Sequence, residues 1–206
     1  MKKHILKEVK KDMTRHEKIK QLTLMGVLAA CIIVLAFIPI RTVAFEITLT
    51  VIPIGVGAII GGKKQGFLLG FVFGMVSFFQ CFGYSPFGTL LFSMNPWMTF
   101  LVCVPTRVLA GGLPALFHDA LSNKMNRHLC DAITCILVPL LNTVFFVAMF
   151  MIGFYHLAEV QSAVGLEGVG PIPFMSAMFL INGLVELAVC AVITFPIVKA
   201  LHIALK

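Results

Sequence analysis

MKKHILKEVKKDMTRHEKIKQLTLMGVLAACIIVLAFIP, residues 1–39, changes from strongly basic to wholly apolar within a few positions. Eight Lys and Arg (Lys2, Lys3, Lys7, Lys10, Lys11, Arg15, Lys18 and Lys20) precede the charge-free run LTLMGVLAACIIVLAFIP at 22–39. Crossing about 30 Å of hydrocarbon takes roughly 20 apolar residues in a helix, and an excess of Lys and Arg marks the cytoplasmic flank of a span. The stretch therefore reads as a basic cytoplasmic segment, 1–20, followed by a first membrane span. LAAC at 28–31 fits the lipobox at which bacterial lipoproteins are cleaved. Apolar IIVLAFIPI follows its cysteine, where a lipoprotein turns polar, and the basic segment is long for a signal peptide, so the span is read as retained.

The rest of the chain agrees. Its 206 residues are 59% hydrophobic and 12% charged, with a mean hydropathy of +1.00; a soluble domain carries about twice that charged share. An integral membrane protein in contact with a lipid bilayer is the only class that fits. Half of the 16 Lys and Arg behind the net charge of +7 lie in the first twenty residues. That placement points to orientation and anionic headgroups, not to nucleic acid.

Six apolar segments follow one another: Gln21–Pro39, Ile47–Gly62, Gly66–Cys81, Trp97–Leu121, Ala132–Tyr155 and Phe174–Ile203. The second is short and broken by Pro53. Lys63 and Lys64 in GGKKQG, Lys124 and Arg127 in SNKMNRH, and Lys199 and Lys206 near the carboxyl end alternate with loops of another kind. Arg41 is balanced by Glu46, 82–96 has no charge, and 156–172 carries only Glu159 and Glu167. The expected architecture is all-α: a polytopic protein with six transmembrane helices in a compact bundle over 21–206, and both termini cytoplasmic.

QCFGYSPFGTLLFSMNPW, 80–97, then falls on the outer side. It is either a lid or binding loop or an aromatic belt with a tight turn. Gly66, Gly70 and Gly74 recur every four residues and predict a close helix–helix seam inside the bundle. Gly26 and Ala30 make a similar small face on the first span, which either packs inward or meets a partner.

Polar groups deep in the spans carry the chemistry. By helical rise, Arg107 lies about 15 Å below Trp97. Glu186, with Asn182 one turn above it, and Asn142 reach similar depth. A charge there costs at least ~2.5–3.5 kcal/mol if isolated, so these residues turn to the bundle interior. One reading pairs Arg107 with Glu186 as an internal clasp completed by the asparagines. The other opens a solute pocket toward 80–97, with the Arg107 fork offered to a carboxylate and Pro105 and Pro139 bending helices nearby.

Other functions lack their signatures. No P-loop, H-E-x-x-H or G-x-S-x-G occurs, and GVGAIIGG has the wrong spacing for a dinucleotide fingerprint. The six cysteines (31, 81, 103, 130, 135 and 190) form no C-x-x-C and no metal-like spacing with histidine, so they read as small hydrophobes. The histidines (4, 16, 118, 128, 156 and 202) sit at span ends and read as interfacial. No catalytic residue, metal or cofactor is expected. An intramembrane enzyme using Glu186 and a histidine is disfavoured, and a structural membrane protein with a polar clasp is the remaining alternative.

Six short spans, GVLAA in the first, a basic amino terminus, and the runs ITLTVIPIGVGAIIGGKKQGFLLGFVFG (47–74) and SPFGTLLFSMNP (85–96) resemble the substrate-binding (S) component of energy-coupling factor vitamin transporters. The resemblance covers the chain from about residue 20 onward. It implies capture of a vitamin-like solute outside a bacterial cell membrane, under lids formed by the outer loops. It further implies docking on a transmembrane coupling subunit and ATP hydrolysis by two cytoplasmic ATPase partners. The family docks through an alanine-x-x-x-alanine face; Gly26 and Ala30 occupy it here, with glycine in place of the first alanine. SPFGTLLFSMNPWMTFLVCVPTRVLAG (85–111) looks most like the pantothenate-related branch. Pantothenate would give Arg107 a carboxylate; folate has carboxylates too, and riboflavin has none. The substrate site implied is Gln80, Tyr84, Phe87, Asn95, Trp97, Arg107, Asn142, Asn182 and Glu186.

Overall fold

A computed structural model describes the backbone of residues 2–38, 40–41, 46–47, 49–122 and 124–204. Side chains are described from residue 19 onward, apart from 39–48, 123, 181, 182, 185, 189, 191 and 204–206. Helix α1, Lys2–Ala36, is followed by two two-residue strands, β1 (Ile40–Arg41) and β2 (Glu46–Ile47). They pair antiparallel with Arg41 opposite Glu46. Then come α2 (Val51–Ile60), α3 (Gly62–Gln80), α4 (Pro86–Met94), α5 (Pro96–Leu121), α6 (Arg127–Phe154) and α7 (Ala158–Val164). The last segment is α8 (Pro171–Met178), a π-helical turn at Phe179–Gly183, and α9 (Leu184–Ala204). Apart from the small β ladder, the described elements are helical, as expected for an all-α protein.

Four helices are long and apolar enough to cross a membrane, over Ile19–Ala36, Pro96–Leu121, Arg127–Phe154 and Glu186–Ile203. The second expected span is different. α2 has only 10 residues, about 15 Å of helix, half the hydrocarbon thickness. Every residue from Val51 to Ile59 is buried, and α2 packs against α1, α3, α5, α6 and α9. It is a central plug that needs no lipid-facing side. Gly62 ends it with a φ of 72°, a left-handed conformation that glycine adopts without penalty, and α3 starts there with Lys63 and Lys64.

The expected glycine seam is the closest contact in the bundle. A Cβ at Gly66 would stand 2.5 Å from the Gly111 carbonyl oxygen, and one at Gly74 would stand 2.9 Å from Val104 Cα. α3 and α5 thus meet backbone to backbone, because no side chain intervenes. One apolar core surrounds α2 and includes Leu28, Ile32, Val56, Leu69 and Val198. A second, with Leu91, Val147, Phe150, Phe154, Val160 and Phe174, lies where α4, α7 and α8 close over α5 and α6.

Both long loops, 82–96 and 156–172, therefore contain helices, α4 and α7. Ser85 caps α4, its Oγ accepting from the Gly88 N–H at 3.2 Å, with Pro86 in the first turn. Asn95 caps α5, its Oδ1 accepting from the Met98 N–H at 3.1 Å, with Pro96 in the first turn. A cap residue followed by proline is a helix start; the two prolines of the 80–97 stretch begin helices and do not merely turn the chain.

Candidate functional site

Arg107 projects from α5 at the seam. Its guanidinium carbon lies 5.1 Å from the centre of the Phe73 ring on α3 and 5.4 Å from that of Phe146 on α6. The ring faces are negative and attract the cation. Nη1 donates to the carbonyls of Val102 at 2.9 Å and Cys103 at 3.3 Å, in the turn that contains Pro105. Nε is buried and has no partner among the described residues. The arginine is thus held in place with a donor left over.

Glu186 and Asn142 form the other half of the interior. Both are buried, and Asn142 Nδ2 donates to Glu186 Oε1 at 3.4 Å, joining α6 to α9. Glu186 follows directly on the π-helical turn, a distortion often found at functional sites. Thr143 fits against that turn, 3.1 Å from where a Gly183 Cβ would stand. The Asn182 side chain lies outside the described residues. The expected clasp does not form: among the described residues Arg107 and Glu186 make no ion pair, and Asp131 is the only acid bridged. Arg107 bonds back to its own helix, and Glu186 takes the amide instead.

The remaining candidates lie elsewhere. Gln80 Nε2 donates to the Ala36 carbonyl at 2.6 Å, and the Tyr84 hydroxyl donates to the Phe37 carbonyl at 2.9 Å. The Tyr84 and Phe37 rings also meet edge-on at 5.1 Å. These two side chains fasten the end of α1 to the α3–α4 corner. Phe87 is half-buried in the second core, 5.9 Å from the Phe150 ring. Asn95 and Trp97 border an open apolar groove of about 520 Å³ with Phe78, Phe82, Phe92, Pro96 and Phe100. Trp97 is 71% exposed and stacks on Phe100. Gly26 and Ala30 are exposed, and a Cβ at Gly26 would meet nothing within 4 Å. The small face of α1 therefore points outward, away from the buried Leu28 and Ile32.

One polar cluster had no warning in the spacing. Asp131 on α6 is 2% exposed. Its Oδ1 lies 2.9 Å from His118 Nε2 on α5, and its Oδ2 lies 3.1 Å from His202 Nε2 on α9. Arg127 Nη2 donates to His202 Nδ1 at 2.7 Å, so Nε2 is the ring nitrogen left to donate to the carboxylate. Two histidines expected at an interface are therefore partners of a buried acid. The available signal was Asp131 itself, an acid inside an apolar helix that has to find donors. Among the described residues, no group of three or more His, Cys, Asp or Glu side chains is placed to hold a metal ion.

The chain matches the family model described as "ECF transporter, substrate-specific component" over residues 20–198, most of its length. No curated protein matches it.

Proposed function

The chain belongs to the family of ECF transporter substrate-specific components, and from that membership we propose that it captures a vitamin-like, carboxylate-bearing solute, pantothenate first among the candidates. Members of this family are the substrate-binding part of a transporter and are not enzymes. The membrane location and the substrate-capture role follow from the family.

The observation that carries the carboxylate assignment is the buried Nε of Arg107, without a partner among the described residues, on a guanidinium steadied between Phe73 and Phe146. A planar carboxylate is the ligand group that matches a guanidinium edge. Asn142, Asn182 and Glu186 would hydrogen-bond the hydroxyls and amide of the solute. Gln80, Tyr84, Phe87, Asn95 and Trp97 would form the roof, where α4 covers the bundle and Gln80 and Tyr84 fasten it to α1. Folate fits the same arginine; riboflavin would leave it without a counterpart.

The outward Gly26–Ala30 face is the docking surface in this reading. It would meet a transmembrane coupling subunit that carries two cytoplasmic ATPases, where ATP is hydrolysed. The bundle would cross a bacterial cell membrane six times, α3 and a short second crossing through the enclosed α2 completing the spans, with both termini and the basic loops cytoplasmic.

The test uses the purified chain in detergent. Pantothenate, folate and riboflavin are titrated while Trp97 fluorescence is followed, with calorimetry alongside. Saturable binding of pantothenate supports the assignment, and saturable binding of another compound replaces it. Silence from all three by both methods favours a structural role for the Asn142–Glu186 pair.

A further inference from the structure

We propose that Cys81 and Cys103 are a dithiol site that a small disulfide reagent converts into an intramolecular disulfide. The two sulfurs lie 3.9 Å apart, one at the end of α3 and the other two turns into α5. Both residues are buried, at 4% and 6% exposure. They belong to two helices that meet backbone to backbone: a Cβ at Gly74 would stand 3.1 Å from the Cys103 carbonyl oxygen. The seam therefore fixes the backbones that carry the thiols, and their proximity does not depend on a mobile segment. A disulfide needs its sulfurs ~2.05 Å apart, so the two sulfurs have to approach by about 2 Å.

Cys81 is followed by exposed Phe82, Gly83 and Tyr84, and its sulfur is covered by Gly88 of α4, where a Cβ would stand 2.9 Å away. The absence of a side chain at Gly88 is what lets the Cys81 sulfur lie against α4. In the reaction, the thiolate of one cysteine attacks a sulfur of the reagent R–S–S–R, forming a mixed disulfide and releasing RS⁻. The second thiolate attacks the protein sulfur of that mixed disulfide and releases the second RS⁻. The two protein thiols lose two electrons and two protons, and the reagent leaves as two RSH. The second step is intramolecular between groups already held together, which favours it over a lasting adduct.

The new bond would tie the end of α3 to the turn of α5 whose Cys103 carbonyl accepts from Arg107 at 3.3 Å. The inference stands independently of the solute assignment.

The full-length chain in detergent is treated with 2-hydroxyethyl disulfide until exposed Cys31 is fully converted to its adduct. Remaining thiols are blocked with a maleimide after denaturation, and peptides are mapped by mass spectrometry without reduction. The expected product is a Cys81–Cys103 cross-linked peptide lighter than its reduced pair by two hydrogens. Recovery of both residues as maleimide adducts overturns the proposal, as does a lasting reagent adduct on either, or a link to any other cysteine. In a Cys103→Ser variant, Cys81 should retain the hydroxyethyl adduct. Where that variant does not fold, the map of the unaltered chain decides alone.

Discussion

The Cβ that Gly70 lacks would stand 2.5 Å from the carbonyl oxygen of Arg107. The residue that brings α3 against α5 is therefore one that sets the position of the half-buried arginine's backbone. Gly70→Ala should separate the helices or strain the seam, at a cost of about 1–3 kcal/mol as for other overpacked cores. Thermal unfolding in detergent should show a lower midpoint, and solute affinity should fall with it. Gly26→Ala is the control, since nothing lies within 4 Å of its new methyl group; its midpoint should not fall.

Arg107→Ala should weaken solute binding by about 1.5–3 kcal/mol, the range for a hydrogen bond to a charged group, a loss of roughly ten- to a hundred-fold. Arg107→Lys should recover only part of it, because an ammonium group lacks the planar fork. Calorimetry on both variants checks this, with membrane insertion unchanged. Equal affinities in all three proteins would remove Arg107 from the site.

Asp131→Ala leaves His118 and His202 without their shared acceptor. A buried donor left unsatisfied typically costs about 1–3 kcal/mol, so this variant should melt below the parent. His118→Ala and His202→Ala should each lose less. The double variants with Asp131→Ala should be little worse than Asp131→Ala alone, because the interaction is already gone. Additive losses would show that the contacts are independent.

Gly26→Leu and Ala30→Leu place bulk on an exposed face and should leave solute affinity and melting behaviour unchanged. Co-purification with a coupling subunit and its ATPases should drop for both. Retained assembly would move the docking surface to another face.

Features that repeat along one helix were legible in advance. Gly66, Gly70 and Gly74 announce a seam because glycine removes the same side chain every turn, and the depth of Arg107, Asn142 and Glu186 follows from helical rise alone. The partners of those residues were not legible. Among the described residues Glu186 hydrogen-bonds Asn142 and makes no ion pair with Arg107, a choice made by how α5, α6 and α9 rotate against one another. Gln80 and Tyr84 bond to carbonyls more than forty residues earlier, and backbone acceptors leave no mark on a side-chain pattern. The enclosure of α2 was not legible either, because burial on every side makes the same demand on composition as lipid does.

Helix α1 has 35 residues, a rod of about 52 Å at 1.5 Å per residue, well beyond the ~30 Å hydrocarbon layer. Its far end is fastened by the Gln80 and Tyr84 bonds to the Ala36 and Phe37 carbonyls. A rod pinned at one tip and longer than the slab it crosses works as a lever arm. In that geometry a sideways displacement of the basic end would be passed to the α3–α4 corner through those two hydrogen bonds.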